Sequence, residues 1–187
     1  MDKRIIKTKQ RICDSFIELI KEKELSKITV SEIAKKANIE RKTFYLHYNC
    51  IEDVYLDIES SITKELENEA NNYFDNPNYQ IKNVYYTLNS VINNHIDFIK
   101  AISFNDSYSF LLRSFEKALA RIIYKIATEI CHVTSKNTKY YTDFYASGIV
   151  RLYKGWITNE YDLSLDELTI ILTRASFLSV DELINKK

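Results

Sequence analysis

Two glycines and one proline in 187 residues leave this chain few means of turning sharply. Strand-rich and loop-rich folds draw heavily on both residues, so the sequence is expected to be all-α. Its apolar residues recur at helical spacing. Ile12, Phe16, Leu19 and Ile20 form one stripe, ending near Lys23 and preceded by a basic arm over residues 1–10. Val54, Ile58, Ile62, Leu66, Ala70 and Phe74 mark a long helix from Ile51 to Phe74. Further stripes predict helices from about Tyr79 to Ile102, Tyr108 to His132, Tyr140 to Glu160 and Leu165 to Leu178. Asp75-Asn76-Pro77-Asn78 and Phe104-Asn105-Asp106-Ser107 are the turn signals between them. Ser164 or Asp166 is the candidate cap of the last helix.

The most informative stretch is TVSEIAKKANIERKTFYLHY, Thr29 to Tyr48. Val30, Ile33, Ala34 and Ala37 share one helical face, and Thr29 or Ser31 can cap its start. Asn38 stands at the corner, where a residue tolerant of positive φ is needed. A second short helix then places Phe44 inward with Ile39 and Tyr48. Arg41, Lys42, Thr43, Tyr45 and His47 are left outside. Cations suit guanine edges, a Thr methyl suits thymine, and phenol and imidazole suit phosphates, so this face is a candidate reader of DNA.

Charge supports that reading once it is resolved along the chain. Net charge is zero, but residues 1–50 carry 12 Lys+Arg against 7 Asp+Glu. Cys13, Cys50 and Cys131 are odd in number and far apart, which suits a reducing compartment rather than a disulfide framework. MDKRIIKTKQ lacks the apolar core of a signal peptide, and no apolar run is long enough to span a membrane. Glu129-x-x-His132 has the spacing of a di-iron ligand pair but no second copy. Cys131 and His132 are adjacent, so on a helix they point apart. No glycine-rich phosphate loop is possible. Neither an enzyme nor a metal or cofactor protein is expected.

Residues 5–55 resemble the N-terminal DNA-binding domain of the TetR (tetracycline-repressor-like) family of bacterial regulators. The resemblance is carried by the first apolar stripe, ITVSEIAKKANI at 28–39, RKTFYLHY at 41–48, and Glu52 and Asp53. Asn38 stands where that family usually has Gly, and Lys42 where a small residue is common. Ile51 replaces a phosphate-gripping Lys. Carried over by position, the resemblance implies base reading by Arg41, Lys42 and Thr43, and phosphate contacts from Thr29, Tyr45 and His47.

It also implies two domains: a three-helix helix-turn-helix DNA-binding domain over 1–50, and a larger helical effector-binding and dimerisation domain over 51–187. The long helix from Ile51 would link them. For a pocket in the body, the aromatic surplus offers Tyr85, His95, Phe98, Phe104, Tyr108, Phe115, Tyr153 and Trp156. The last two helices would pair with their copies, through Phe144, Gly148, Leu152, Leu168, Leu172 and Ala175. The run TDFYASGIVRLYKGWITNEYDLS further resembles a subgroup that includes dihydroxyacetone-kinase regulators.

The expected protein is therefore a cytoplasmic, homodimeric repressor that binds a palindromic double-stranded DNA operator and answers to an unknown small-molecule effector. Two alternatives stay open: a regulator controlled by a protein partner without a small ligand, and an interaction protein that has lost DNA binding.

Overall fold

A computed structural model describes residues 3–74, 80–130, 132–133 and 135–184. Among them it holds nine α-helices and no strand, in agreement with the all-α expectation. The helices are α1 (Lys3–Ile20), α2 (Val30–Lys36), α3 (Arg41–Tyr45), α4 (Ile51–Phe74), α5 (Ile81–Asn94), α6 (Ile96–Phe104), α7 (Ser109–Lys125), α8 (Thr138–Ile157) and α9 (Leu165–Ile184). A π-helical turn, Ile126–Ile130, extends α7. The turn expected at 75–78 and residue Cys131 lie outside the described residues.

Two sequence expectations need correction. The basic stretch read as an arm is helical from Lys3 onward, because the stripe through Ile12 and Phe16 propagates backwards without a breaker. The single helix expected over 79–102 is two helices meeting at His95, where φ is −120° and ψ is 22°. No Gly or Pro marks that break. His95 instead bonds the α4 carboxylate of Glu65 at 2.7 Å, and Asn94 reaches the same group at 3.0 Å. A tertiary contact thus coincides with a kink that local sequence does not announce.

The core of the head is Ile12 and Phe16 of α1 against Ile33, Phe44, Tyr48 and Val54, each at most 4% exposed. Helix α4 runs on from it, touching α1 at one end and α5 and α7 further along. Phe16, Tyr55 and Phe110 carry the aromatic packing from α1 through α4 to α7, with centroids 6.3 and 5.3 Å apart. Helices α7 and α8 pack on each other, and α9 lies against α5 and α8. A chain of buried polar groups links α8, α5 and α9: Tyr153 donates to Asn89, which donates to Thr169 at 2.8 Å.

Candidate nucleic-acid interface

Local rules build the corner. Thr29 and Glu32 form a reciprocal cap at the start of α2: the Glu32 amide donates to the Thr29 hydroxyl at 3.3 Å, and the Thr29 amide to the Glu32 carboxylate at 3.0 Å. Lys23 pairs with that carboxylate, so Lys23 and then Thr29 hold Glu32 below the usual carboxylate range. At the other end Asn38 takes φ 51°. The Asn38 amide bonds the Lys35 carbonyl at 3.1 Å and the Ile39 amide the Ala34 carbonyl at 2.9 Å, closing α2 in a Schellman arrangement.

Arg11 completes the corner. Its guanidinium donates to the carbonyls of Ala37 and, at 2.9 Å, Asn38, placing a cation on the negative end of α2. Sequence reasoning gave Arg11 no role. Its partners lie 26 and 27 residues away, and nothing local points to them.

Helix α3 is short and is held by Phe44, which is fully buried with its ring 5.8 Å from that of Tyr48. Arg41 and Lys42 are exposed, and neither has an ion-pair partner among the described residues. Thr43 and His47 are half-buried. Tyr45 is 49% exposed and stacks edge-on against Phe44 at 5.5 Å, so its ring braces the helix while much of it stays open. Thr29 is exposed, with its hydroxyl already engaged by Glu32. The structure therefore gathers Arg41, Lys42, Tyr45 and the half-buried Thr43 and His47 on and beside one short helix. Leu46, passed over in the sequence, is 73% exposed beside Tyr45. Its signal was the TFYLHY run itself, in which Leu46 falls between two outward positions.

Below α3, Tyr48 donates to Asp57 of α4 at 2.7 Å, and Lys9 of α1 pairs with Asp57 at the same distance. The Lys9 ammonium also sits 5.0 Å from the centre of the Tyr48 ring. Burial pushes the Tyr48 hydroxyl well up, aided by Cys13 and Asp57. Partial burial pushes Asp57 up, but Lys9 and Tyr48 outweigh it and hold this carboxyl below its ordinary value.

In the body, side chains of α4 to α8 line a partly open cavity of about 70 Å³. Of the eight residues expected in a pocket, Phe115 and Tyr153 line it. Tyr85 is buried against Ser176, His95 is bonded to Glu65, Phe98 and Tyr108 are packed solid, Phe104 is 62% exposed, and Trp156 packs against the core. Burial pushes the unpartnered Tyr108 hydroxyl up to about 12.

Of the six residues expected between copies, Phe144 is 73% exposed, Gly148 is open and Ala175 is exposed, whereas Leu152 is half-buried against the core. Leu168 and Leu172 are buried within the chain itself, at 0% and 2%. Among the described large apolar side chains of α9, Ile170 and Ile171 stand exposed. The stripe through Leu168 and Leu172 faces α5 and α8, because burial within one chain claims the most apolar stripe of an amphipathic helix.

A helix-turn-helix head with an exposed cationic second helix, set on a helical body, defines a class of DNA-binding regulator. Residues 79–177, more than half of the chain, match the family described as the transcriptional regulator C-terminal region of TetR proteins, and the chain belongs to the TetR family of transcriptional regulators. An uncharacterized HTH-type transcriptional regulator of Bacillus subtilis (strain 168), YxbF, is 39% identical over 49 residues, which is 26% of this chain and 13% of that protein.

Among solved structures, a TetR/AcrR-family transcriptional regulator from Aquifex aeolicus VF5 shares the fold at TM-score 0.70 and 18% identity, with 92% of this chain and 99% of that one covered. The dihydroxyacetone kinase operon activator DhaS does so at TM-score 0.65 and 22% identity, with 94% and 97% covered.

Proposed function

We propose that this TetR-family regulator is a ligand-responsive repressor that binds a near-palindromic operator as a homodimer in the cytoplasm, with no catalytic activity of its own. The observation that carries the proposal is α3: two exposed cations with no ion-pair partner among the described residues, on a helix pinned by Phe44, at a corner fixed by Asn38 and Arg11. Arg41, Lys42 and Thr43 read bases; Thr29, Tyr45 and His47 hold phosphates; and Leu46 meets a thymine methyl. Two copies pair through the open face of α8 and α9, where Tyr140, Phe144, Ile170 and Ile171 stand exposed. Each copy then offers one α3 to a major groove, with half-sites about 34–36 Å apart or a multiple of that.

A ligand in the body releases DNA only to the extent that it binds the non-binding state more tightly. The cavity size also supports a second reading, a regulator governed by a protein partner, since ordinary small-molecule pockets run about 300–1,000 Å³.

Selection of bound fragments from random double-stranded DNA, followed by sequencing, tests the core of the proposal. An enriched inverted repeat with half-site centres about one helical turn apart, or a multiple, is expected. Retention of DNA without any enriched repeat would reject it.

A further inference from the structure

The start of α6 carries two polar links that leave its own helix. His95, the residue between α5 and α6, bonds the Glu65 carboxylate of α4 at 2.7 Å. Two residues further on, Asp97 pairs with Lys21 of α1 at 3.0 Å. One helix end is therefore tied both to α1, which lies in the head, and to α4, which runs from the head into the body. His95 is also the hinge itself: α5 ends there at φ −120°, and its carbonyl accepts the Ile99 amide at 3.0 Å to open α6.

The two links answer differently to pH. Carboxylate–ammonium pairs stay charged throughout the neutral range, whereas imidazole changes charge between about pH 5 and 8. Glu65 remains an anion while that happens, because its bond from His95 and then that from Asn94 hold the carboxyl below its ordinary value against desolvation. A charge-assisted bond is roughly twice as strong as a neutral one, so loss of the imidazole proton weakens the tie to α4 and leaves the tie to α1 unchanged. The other charges about α6 are engaged with one another. Glu18 lies 2.8 Å from Lys21, Arg121 of α7 lies 2.9 Å from Glu67 of α4, and Lys154 of α8 lies 3.4 Å from Asp106. Lys100 of α6 is exposed, and α5 contributes only the neutral Asn94 to Glu65, at 3.0 Å. None of these pairs brings a second cation to Glu65.

We propose that the start of α6 is a proton-operated brace between head and body, with His95 as the titrating group. While His95 is cationic, α1 and α4 are both held, and the head meets DNA from a restricted set of orientations. As pH rises and His95 becomes neutral, the tie to α4 slackens. Operator affinity then falls, because a looser head has more freedom to lose on docking. The inference rests on the DNA-binding reading above, which it deepens, and it needs no occupant in the body cavity.

Hydrogen exchange of the full chain without DNA, from about pH 5.5 to 8.5, reads the brace directly. The protection factor of the Ile99 amide should fall about two- to fivefold across that range in the parent, the worth of one partly exposed ion pair, and stay flat in His95→Gln. Operator affinity at fixed ionic strength should follow the same curve. His95→Gln and Glu65→Gln should match the parent at the alkaline end and lie about two- to fivefold below it at the acidic end. The affinity series is run in a His47→Gln background, which removes the other imidazole expected near DNA. The proposal is overturned if His95→Gln runs parallel to the parent at every pH, as a purely structural role would give, or if protection tracks pH and operator affinity does not. Flat protection in the parent removes the switch alone, whereas a chain that selects no operator sequence removes the DNA-binding reading and the switch with it.

Discussion

The Tyr48 hydroxyl donates to the Asp57 carboxylate at 2.7 Å, which ties the segment after α3 directly to α4, the helix that enters the body. Lys9 of α1 closes the same node through Asp57, so three segments meet at one carboxylate. Any movement of α4 relative to α1 must strain or break one of these bonds. Tyr48→Phe should lower unfolding free energy by about 1 kcal/mol, and Asp57→Ala by about 1–3 kcal/mol because it strands two partners. Urea unfolding measures both.

Acid sensitivity follows from the same node. Asp57 and Glu65 titrate below their unfolded values, Asp57 through Lys9 and Tyr48 against partial burial, and Glu65 chiefly through His95. Their contribution is fully present above about pH 4–5 and is lost as pH falls through the folded values. Thermal midpoints measured from about pH 6 down to 3 should therefore fall less steeply for Asp57→Asn than for the parent chain. An unchanged slope would remove Asp57 from the account.

On the recognition face, Arg41→Ala should cost about 1–3 kcal/mol of operator binding and relax specificity at one base pair, while Lys42→Ala, if its contact is to phosphate, should lower the salt slope by about one. Tyr45→Phe should weaken binding less, since the ring still braces Phe44. Replacing operator thymines by deoxyuridine should weaken the parent but not Leu46→Ala at the position that Leu46 reads. Gel-shift titrations at fixed salt, with circular dichroism to verify folding, decide these cases.

The two glycines should respond oppositely. A Cβ at Gly155 would fall 2.1 Å from the Tyr161 ring, whereas one at Gly148 meets nothing within 4 Å. Gly155→Ala should destabilise by about 1–3 kcal/mol through overpacking, and the cost should largely vanish in a Tyr161→Ala background. Gly148→Ala should raise the stability of the single chain by about 0.5–1 kcal/mol. Thermal unfolding of the parent, Gly155→Ala, Tyr161→Ala, their double variant and Gly148→Ala completes the comparison.

For pairing of copies, Phe144→Asp and Ile170→Asp each place a charge on the open face of α8 and α9. Both should shift the protein from dimer to monomer in sedimentation, with helicity retained. Leu168→Asp, on the buried stripe, should instead unfold the body. A parent chain that sediments as a monomer would reject the dimer.

The helix from Ile51 to Phe74 was legible to the residue because four-residue spacing runs unbroken between strong end signals. The corner was legible for the same kind of reason: Thr29, Asn38 and Phe44 act through neighbours within a few residues. Of the residues expected outside once Phe44 was turned in, Arg41, Lys42 and Tyr45 are exposed, and Thr43 and His47 are half-buried. The kink at His95, the Arg11 clamp and the inward turn of Leu168 and Leu172 were not legible. Each depends on a partner contributed by another element, which periodicity alone cannot name.

By itself, the sequence determined an all-helical chain with a capped two-helix corner and a cationic face upon it, because capping, φ preference and 3.6-residue periodicity are local. Tertiary structure decided which aromatics pack solid and which line the cavity, which stripe of α9 is buried, and that Ser103 and Tyr108 carry buried hydroxyls left unpaired. Those outcomes depend on competition among helices for the same buried surface, and that competition is settled only when they pack.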